Sequence, residues 1–488
     1  MGNIVLNIFC SVELVLAHFL FFQKSIGFWS INSLIVFLQA FFFYGILFSV
    51  GRKTVISFAV LTNIIIVLLL VYHRVYQDPI TLTTIVLQHN EGISYLRRAA
   101  DVFLSPYILG AGFYLFVISG TVFFFYRRPQ RRWLQRIMFS VPFILIMALS
   151  YANYHHELFF KRHFQHITEI FGYPQGWFYE TVTNSDIGGQ IDYVVKMANE
   201  KPLPLPAGLS GLQPHKHVFV IQLESFQYFA FEKEVDGRKV MPFLNSLAED
   251  AALYRILPKR PHPSANSDFA VLGGISDITG FYYVLYQIVS PEQLYAQITP
   301  VAWKYKQQGY HLAFYHGFVE TFYNRGPHIR AMKFDDIYFL AELRKNYQYD
   351  EGEWGVNDMD MAKLIVENQK KNPHDKSFTF FITVSTHDPF DIGQTENKIF
   401  EKPKNILERY YNGFNYVDNM LDYLITNAPE DSLFIIYSDH PSIEDKADET
   451  FFMVYSNKQK FKSFEEADFK QAMQVIKSVL HKNLEQGK

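Results

Sequence analysis

The sequence predicts a chain of two parts, a five-helix membrane-spanning region followed by an α/β domain. Three observations lead there: apolar runs of near-membrane length confined to the first third of the 488 residues, short apolar runs alternating with helix-compatible stretches afterwards, and ionisable residues directly after several of those short runs. Composition points the same way. Hydrophobic residues make up 49% of the chain and charged residues only 19%, against roughly 25% charged in ordinary soluble domains.

The apolar runs fall at about residues 3–22, 28–49, 54–73, 102–126 and 137–153, each near the roughly 20 residues that cross the hydrocarbon at about 1.5 Å per residue. Arg52 and Lys53 lie between the second and third runs, and Arg127, Arg128, Arg131, Arg132 and Arg136 between the fourth and fifth. The positive-inside bias makes both loops cytoplasmic, which puts the amino terminus inside and everything after about residue 154 outside. Arg97 and Arg98 run against this assignment and are offset by Asp78, Glu91 and Asp101 in the same loop. The first run has no basic leader and is followed by further runs, so a cleaved signal peptide is not expected. A transporter is disfavoured because the apolar runs stop early, whereas transporters build their sites among many spans.

Residues 1–154 are therefore the membrane region. Residues 155–214 form an interfacial segment and linker: HHELFFKRHFQHITEIF mixes aromatic and basic residues in the manner of a membrane-surface segment, and KPLPLPAGLSGLQP reads as a connection. His155, His156, His163 and His166 are read as interfacial packing rather than a metal site. The formal charge of −3, from 45 Lys plus Arg and 48 Asp plus Glu, leaves no basic surface for nucleic acid. With Cys10 as the single cysteine, neither an intramolecular disulfide nor a cysteine metal knuckle can form.

Residues 215–488 carry the chemistry. HVFVIQLE, YHLAFYHG, SFTFFITVSTHD and SLFIIYSDH read as strands, and VMPFLNSLAEDA, VAWKYKQQG, DMDMAKLIVENQ and YVDNMLDYLI as helices between them. Continuous apolar strands alternating with helices argue for a largely parallel sheet covered on both faces. Glu224, His316, His387 and the pair Asp439-His440 each follow one of these strands, at the sheet edge where ligands of open α/β sheets bind. Singly, each has a structural explanation as a cap or a carbonyl partner; together they suit a divalent ion of the zinc or manganese type. A hydroxyl facing such an ion becomes a nucleophile. The segment RPHPSANSDF offers Ser264 and Ser267 at the start of a helix, and the chemistry alone leaves either serine as nucleophile or as helix cap.

At these residues the chain resembles the lipoteichoic acid synthase and phosphoglycerol transferase family, membrane relatives of the sulfatases and alkaline phosphatases. The resemblance runs from about Val218 to Tyr455 and rests on IQLESFQ, SANSDF, YHGFVETFYNRG, WGVND, STHDPF and SDH. It implies a sulfatase-like α/β fold. It also implies one divalent ion, manganese with zinc or magnesium as alternatives, in a metal site of Glu224, Ser264, Asp439 and His440. Ser264 becomes the nucleophile, with His316, Tyr323, Arg325, Trp354 and His387 as substrate contacts and His387, Arg325 and His316 as catalytic groups.

The activity implied is transfer of glycerophosphate from phosphatidylglycerol to a lipid-linked or glycan acceptor on the outer side of a bacterial inner membrane, through a covalent Ser264 intermediate. Phosphoethanolamine transfer is the nearest alternative. Sulfatase-like phosphodiesterase action is further off, because the serine region lacks the C/S-x-P-x-R setting that sulfatases need. Three departures from the family pattern bear on substrate more than on chemistry: Ser264 for threonine, Tyr323 for tryptophan, and Pro441 for glycine, which removes a backbone N–H.

Overall fold

The computed structural model describes residues 187–257, 264–278, 285–288, 290–347 and most of 349–485, with short helical stretches between 37 and 57 and at 137–145. It divides into two units, Met1–Ile187 and Gly188–Lys488. The expected spans at 3–22 and 102–126 lie outside the described residues, those at 28–49, 54–73 and 137–153 are described only in part, and residues 155–186 also lie outside. Among the described residues no helix is long and apolar enough to cross a membrane. Within the first unit, Phe41 and Phe42 pack on Phe139 and Phe43 on Phe143, with ring centroids 5.6 to 6.2 Å apart. Ile137, Met138, Val141, Ile144 and Leu145 stay more than half exposed.

The second unit is built on one sheet of eight strands: β1 (His217–Leu223), β2 (Ala252–Ile256), β3 (His311–His316), β4 (Asp336–Tyr338), β5 (Ser377–Ile382), β6 (Ser432–Ser438), β7 (Thr450–Ser456) and β8 (Ser463–Ala467). Their spatial order is β8-β2-β7-β6-β1-β5-β3-β4. Every pairing is parallel except the two that β7 makes, with β6 and β2. Strands β1, β3, β5 and β6 therefore run side by side in one direction, and their carboxyl ends open on one edge. The sequence expectation of a largely parallel sheet holds for this centre.

Alternation along the strands makes two cores. Val218 and Val220 face one layer while Phe219, Ile221 and Leu223 face the other, and Leu433 and Ile435 alternate with Phe434 and Ile436 in the same way. The first layer is closed by α1 (Ile187–Asn199), α3 (Ser264–Gly273) and α7 (Phe469–Glu485), the second by α2 (Pro242–Ala248), α5 (Asp358–Lys371) and α6 (Ile406–Thr426). Helix α6 starts ten residues before the predicted stretch, because Asn405 caps it by accepting the Glu408 N–H at 2.9 Å.

Two differences from the sequence reading have physical causes. Strands β2, β4, β7 and β8 did not stand out: β4 has three residues, Arg255 and Glu466 interrupt β2 and β8, and β7 runs antiparallel. The segment read as a connection also joins the second unit: Val194 and Met197 of α1, with Leu209 and Leu212 after it, are buried in the first core layer. The Lys477 ammonium donates to the Met197 and Ala198 carbonyls at 3.0 and 3.1 Å, satisfying orphan acceptors at the end of α1.

Candidate active site

Strands β1 and β6 are neighbours, so the residues that follow them meet. Glu224, Asp439 and His440 place one ligand atom each within 4.8 Å of one another. The turn after β1 makes this possible. Ser225 sits in the left-handed region at φ 55°, from where its N–H donates to Asp439 Oδ1 at 2.8 Å and its hydroxyl to Glu224 Oε1 at 2.8 Å. The His440 N–H donates to the same Asp439 Oδ1 at 2.7 Å, while Asp439 Oδ2 is buried without a hydrogen-bond partner.

Two carboxylates side by side in a dry site need a cation or a proton between them. Burial pushes the Asp439 carboxyl up, and the Glu224 charge adds to that. Burial acts upward on Glu224 as well, but the His387 and His440 charges outweigh it and hold Glu224 below the usual carboxylate range. An orphaned carboxylate oxygen beside a second carboxylate and an imidazole is a donor set that fits a divalent ion of the zinc or manganese type.

Ser264 is the first residue of α3, a helix whose ten residues are all buried. Its Oγ lies 2.9 Å from His440 Nε2 and 3.5 Å from Glu224 Oε1. The helix start is fixed from the sheet: Tyr437 donates to Gln222 Oε1 at 2.7 Å, Gln222 donates to the Ser264 carbonyl at 3.3 Å, and Ser267 donates to the Asp439 carbonyl at 3.4 Å. Ser264 therefore faces the cluster, and Ser267 supports the helix.

The opposite wall comes from β3 and β5. His316 ends β3, and Arg325 opens α4 (Arg325–Ala331) after Tyr323 and Asn324, both left-handed at φ 57° and 60°. Arg325 donates from Nε to Asp268 Oδ2 at 2.8 Å and from Nη1 to His316 Nε2 at 3.1 Å. A guanidinium has no acceptor, so His316 must accept at Nε2 and carry its proton on Nδ1, which faces the Ile382 carbonyl at 3.4 Å. Burial, reinforced by the Arg325 charge, pushes His316 down to about 3, so it stays neutral. Burial pushes Asp268 up to about 6 even though Arg325 draws it down. The Tyr323 ring lies 5.5 Å from the Arg325 guanidinium carbon.

Trp354 packs against His387 with ring centroids 3.6 Å apart and the planes tilted by 35°, and Phe318 and Phe322 pack on Trp354. His387 is presented by the turn after β5, which Asp358 holds by accepting the Val384 and Ser385 N–H groups at 2.9 and 2.8 Å. Gly317 and Gly355 bring the His316 and Trp354 loops together. The Val356 N–H donates to the Gly317 carbonyl at 3.0 Å. A Cβ on Gly355, which is at φ +93°, would stand 2.1 Å from that carbonyl, and one on Gly317 would stand 2.4 Å from the Val356 carbonyl. Glu224, Ser264, His316, Tyr323, Arg325, Trp354 and His387 all line one cleft.

The sulfatase family profile matches residues 216–472, more than half of the chain and all of the strands that deliver this cleft. The chain belongs to the sulfatase family. Within it, the sequence is similar to the lipoteichoic acid synthase of Staphylococcus saprophyticus, 24% identical over 485 residues that cover 91% of this chain and 68% of that one. It is also similar to lipoteichoic acid synthase 2 of Bacillus subtilis, 26% identical over 249 residues that cover 48% of this chain and 37% of that one. The expected likeness to the lipoteichoic acid synthases is thereby borne out. Among solved structures, the integral membrane lipooligosaccharide phosphoethanolamine transferase A of Neisseria meningitidis aligns with a TM-score of 0.56 at 13% identity, covering 98% of this chain and 95% of that one, a likeness of fold.

In this sulfatase-family cleft the candidate residues read from sequence share one site. Several partners were not read: Asp268 as the counter-ion of Arg325, Ser225 as the turn that joins the two carboxylates, Gln222 behind the serine, and Asp358 as the anchor of the His387 turn. Asp268 and Arg325 are 57 residues apart, and no local pattern connects them. Gln222 had a signal, since an amide in the interior of a continuous apolar strand needs a specific partner.

Proposed function

We propose that the chain is a membrane phosphoglycerol transferase that moves glycerophosphate from phosphatidylglycerol to a lipid-linked or glycan acceptor, through a covalent intermediate on Ser264. What carries this reading is Ser264 Oγ, 2.9 Å from His440 Nε2 and 3.5 Å from Glu224 Oε1, in the same cleft as the buried Arg325 guanidinium. A divalent ion held by Glu224, Asp439 and His440, manganese with zinc or magnesium as alternatives, lowers the energy of the serine alkoxide and offsets phosphoryl charge when bound.

Ser264 Oγ attacks phosphorus, and the bond from phosphorus to the diacylglycerol oxygen breaks. His387 supplies the proton that this oxygen needs, and takes one back from the acceptor hydroxyl when it attacks in turn and releases Ser264. Arg325 binds phosphoryl oxygens through both Nη groups. His316, already accepting from Arg325, orients that group and moves no proton. Trp354 and Tyr323 flank the headgroup. The apolar runs of the first third, the basic loops between them and the exposed row Ile137, Met138, Val141, Ile144 and Leu145 together support a multi-pass membrane protein with this domain outside.

Glu224 is the one carboxylate among the described cleft-lining residues, and it belongs to the cation cluster. The likeness to the lipoteichoic acid synthases makes glycerophosphate the preferred donor group, and the aromatic faces of Trp354 and Tyr323 keep ethanolamine phosphate as the alternative. The test is incubation of full-length protein with labelled phosphatidylglycerol or phosphatidylethanolamine, with and without manganese, followed by intact-mass measurement. A glycerophosphate adduct that disappears in Ser264→Ala is the expected result. An ethanolamine-phosphate adduct would replace the donor, and no adduct from either lipid would remove the covalent mechanism.

A further inference from the structure

The ion pair between Asp268 and Arg325 is almost completely buried, with side chains 0% and 3% exposed. Such a pair is seldom required for folding, since apolar residues of similar volume do as well or better there. Asp268 is also imperfectly served, because its Oδ1 is buried with no hydrogen-bond partner. Its position is informative. On α3 it follows Ser264 by one turn, and residues four apart on a helix share a face.

The donor inventory of Arg325 shows what the pair does. A guanidinium has five N–H donors. The Nε hydrogen goes to Asp268 and one Nη1 hydrogen to His316. The three that remain are all on Nη1 and Nη2, the edge that matches two oxygens of a phosphoryl group. Two fixed acceptors on one planar group also fix its rotation.

We infer that Asp268 is a positioning residue for the anion grip: it holds the Arg325 guanidinium by Nε so that the Nη1/Nη2 edge is presented to the cleft, and it thereby ties nucleophile and grip to one helix. The inference rests on the reading of Arg325 as the phosphoryl contact. It gives Asp268 a role that neither capping nor stability supplies.

The test uses full-length manganese-loaded protein and two readouts, calorimetric binding of inorganic phosphate and the rate of Ser264 adduct formation from labelled phosphatidylglycerol. Asp268→Asn keeps an acceptor for Nε but removes the charge that holds it, and Asp268→Glu keeps the charge but displaces the guanidinium by a methylene. Each is expected to weaken phosphate binding about tenfold and adduct formation about 100-fold, the order of loss for a misplacement near 1 Å. Combined with Arg325→Lys, which has no Nε, Asp268→Asn is expected to cause no further loss. Wild-type phosphate affinity in whichever of the two Asp268 variants folds would overturn the inference, as would losses that multiply in the double variant. A wrong donor shows itself separately, as a wild-type protein that binds phosphate but gains no glycerophosphate mass.

Discussion

On one wall of the cleft, Glu224 and Asp439 crowd together with Asp439 Oδ2 orphaned, and His440, the more distant His387 charge, two N–H groups and the Ser225 hydroxyl offset their charge only in part. On the other, Arg325 is already matched by Asp268 and His316, and the aromatic rings around Trp354 and His387 close on one another. The first wall is incomplete without a cation; on the second the guanidinium charge is already matched, and three Nη hydrogens and one carboxylate oxygen are left over. Their construction differs accordingly. The acidic wall is made by residues that directly follow adjacent parallel strands, whereas the basic and aromatic wall needs two loops, a helix start and two glycines to assemble.

The contrast makes testable demands. The largest effect is expected where both walls meet the substrate: Ser264→Ala should lower transfer by about 10⁴-fold or more, while leaving the manganese-induced rise in melting temperature intact. Loss of that rise would mean that the serine belongs to the acidic wall structurally and not only chemically. Next comes Asp439→Asn, expected to lower transfer about 10³-fold and to abolish the metal-induced rise. The same change should raise the melting temperature of metal-free protein near neutral pH, because it removes the cost of protonating a buried carboxyl on folding. A metal-free variant less stable than the parent would contradict the incompleteness assigned to this wall.

The pH dependence has a definite sign. The folded Asp439 carboxyl is held above its unfolded value by burial and by Glu224, so in metal-free protein the native state keeps a proton that the unfolded chain releases. Its contribution is fully present below the ordinary carboxylate value of about 3.9 and is lost as pH rises through the raised folded value. Metal binding needs the ionised carboxylate and strengthens over that window. Melting curves with and without manganese should therefore diverge as pH rises; parallel curves would sink the assignment.

Smaller effects test the second wall. Gly355→Ala puts a Cβ against the Gly317 carbonyl at a positive φ, with an expected loss of about 1–3 kcal/mol in stability, read from denaturant unfolding. Smallest is Tyr323→Leu, which removes the ring beside Arg325 and should weaken phosphate binding by about three- to tenfold. A Tyr323 effect larger than that of Gly355→Ala on phosphate affinity would mean that the ring, and not the loop contact, organises this wall.

The same contrast explains what could be read from sequence. Strands β1, β3, β5 and β6 announce themselves as continuous apolar runs, and Glu224, His316, Asp439 and His440 are legible because each stands at the end of one or just after it, with His387 in the turn that follows β5. The acidic wall is therefore nearly complete in the sequence. On the second wall, Arg325, Tyr323 and Trp354 were assigned through family resemblance, since their positions depend on contacts that local pattern does not encode. Asp268 read as a first-turn acid of a helix, but it lies one turn further in, and its partner is brought to it by the fold. Strand β7, TFFMVYS, has an apolar centre, yet its antiparallel direction takes it out of the alternation that identified the others.

The contact between Gly317 and Gly355 also sets the terms on which this enzyme can be redesigned. A graft of residues 316–326 from a relative, or of 354–358 alone, would fail wherever the incoming loop brought a side chain or a different curvature to that contact. The two loops are thus inherited as a cassette, and a chimera that exchanges one should exchange the other in the same step.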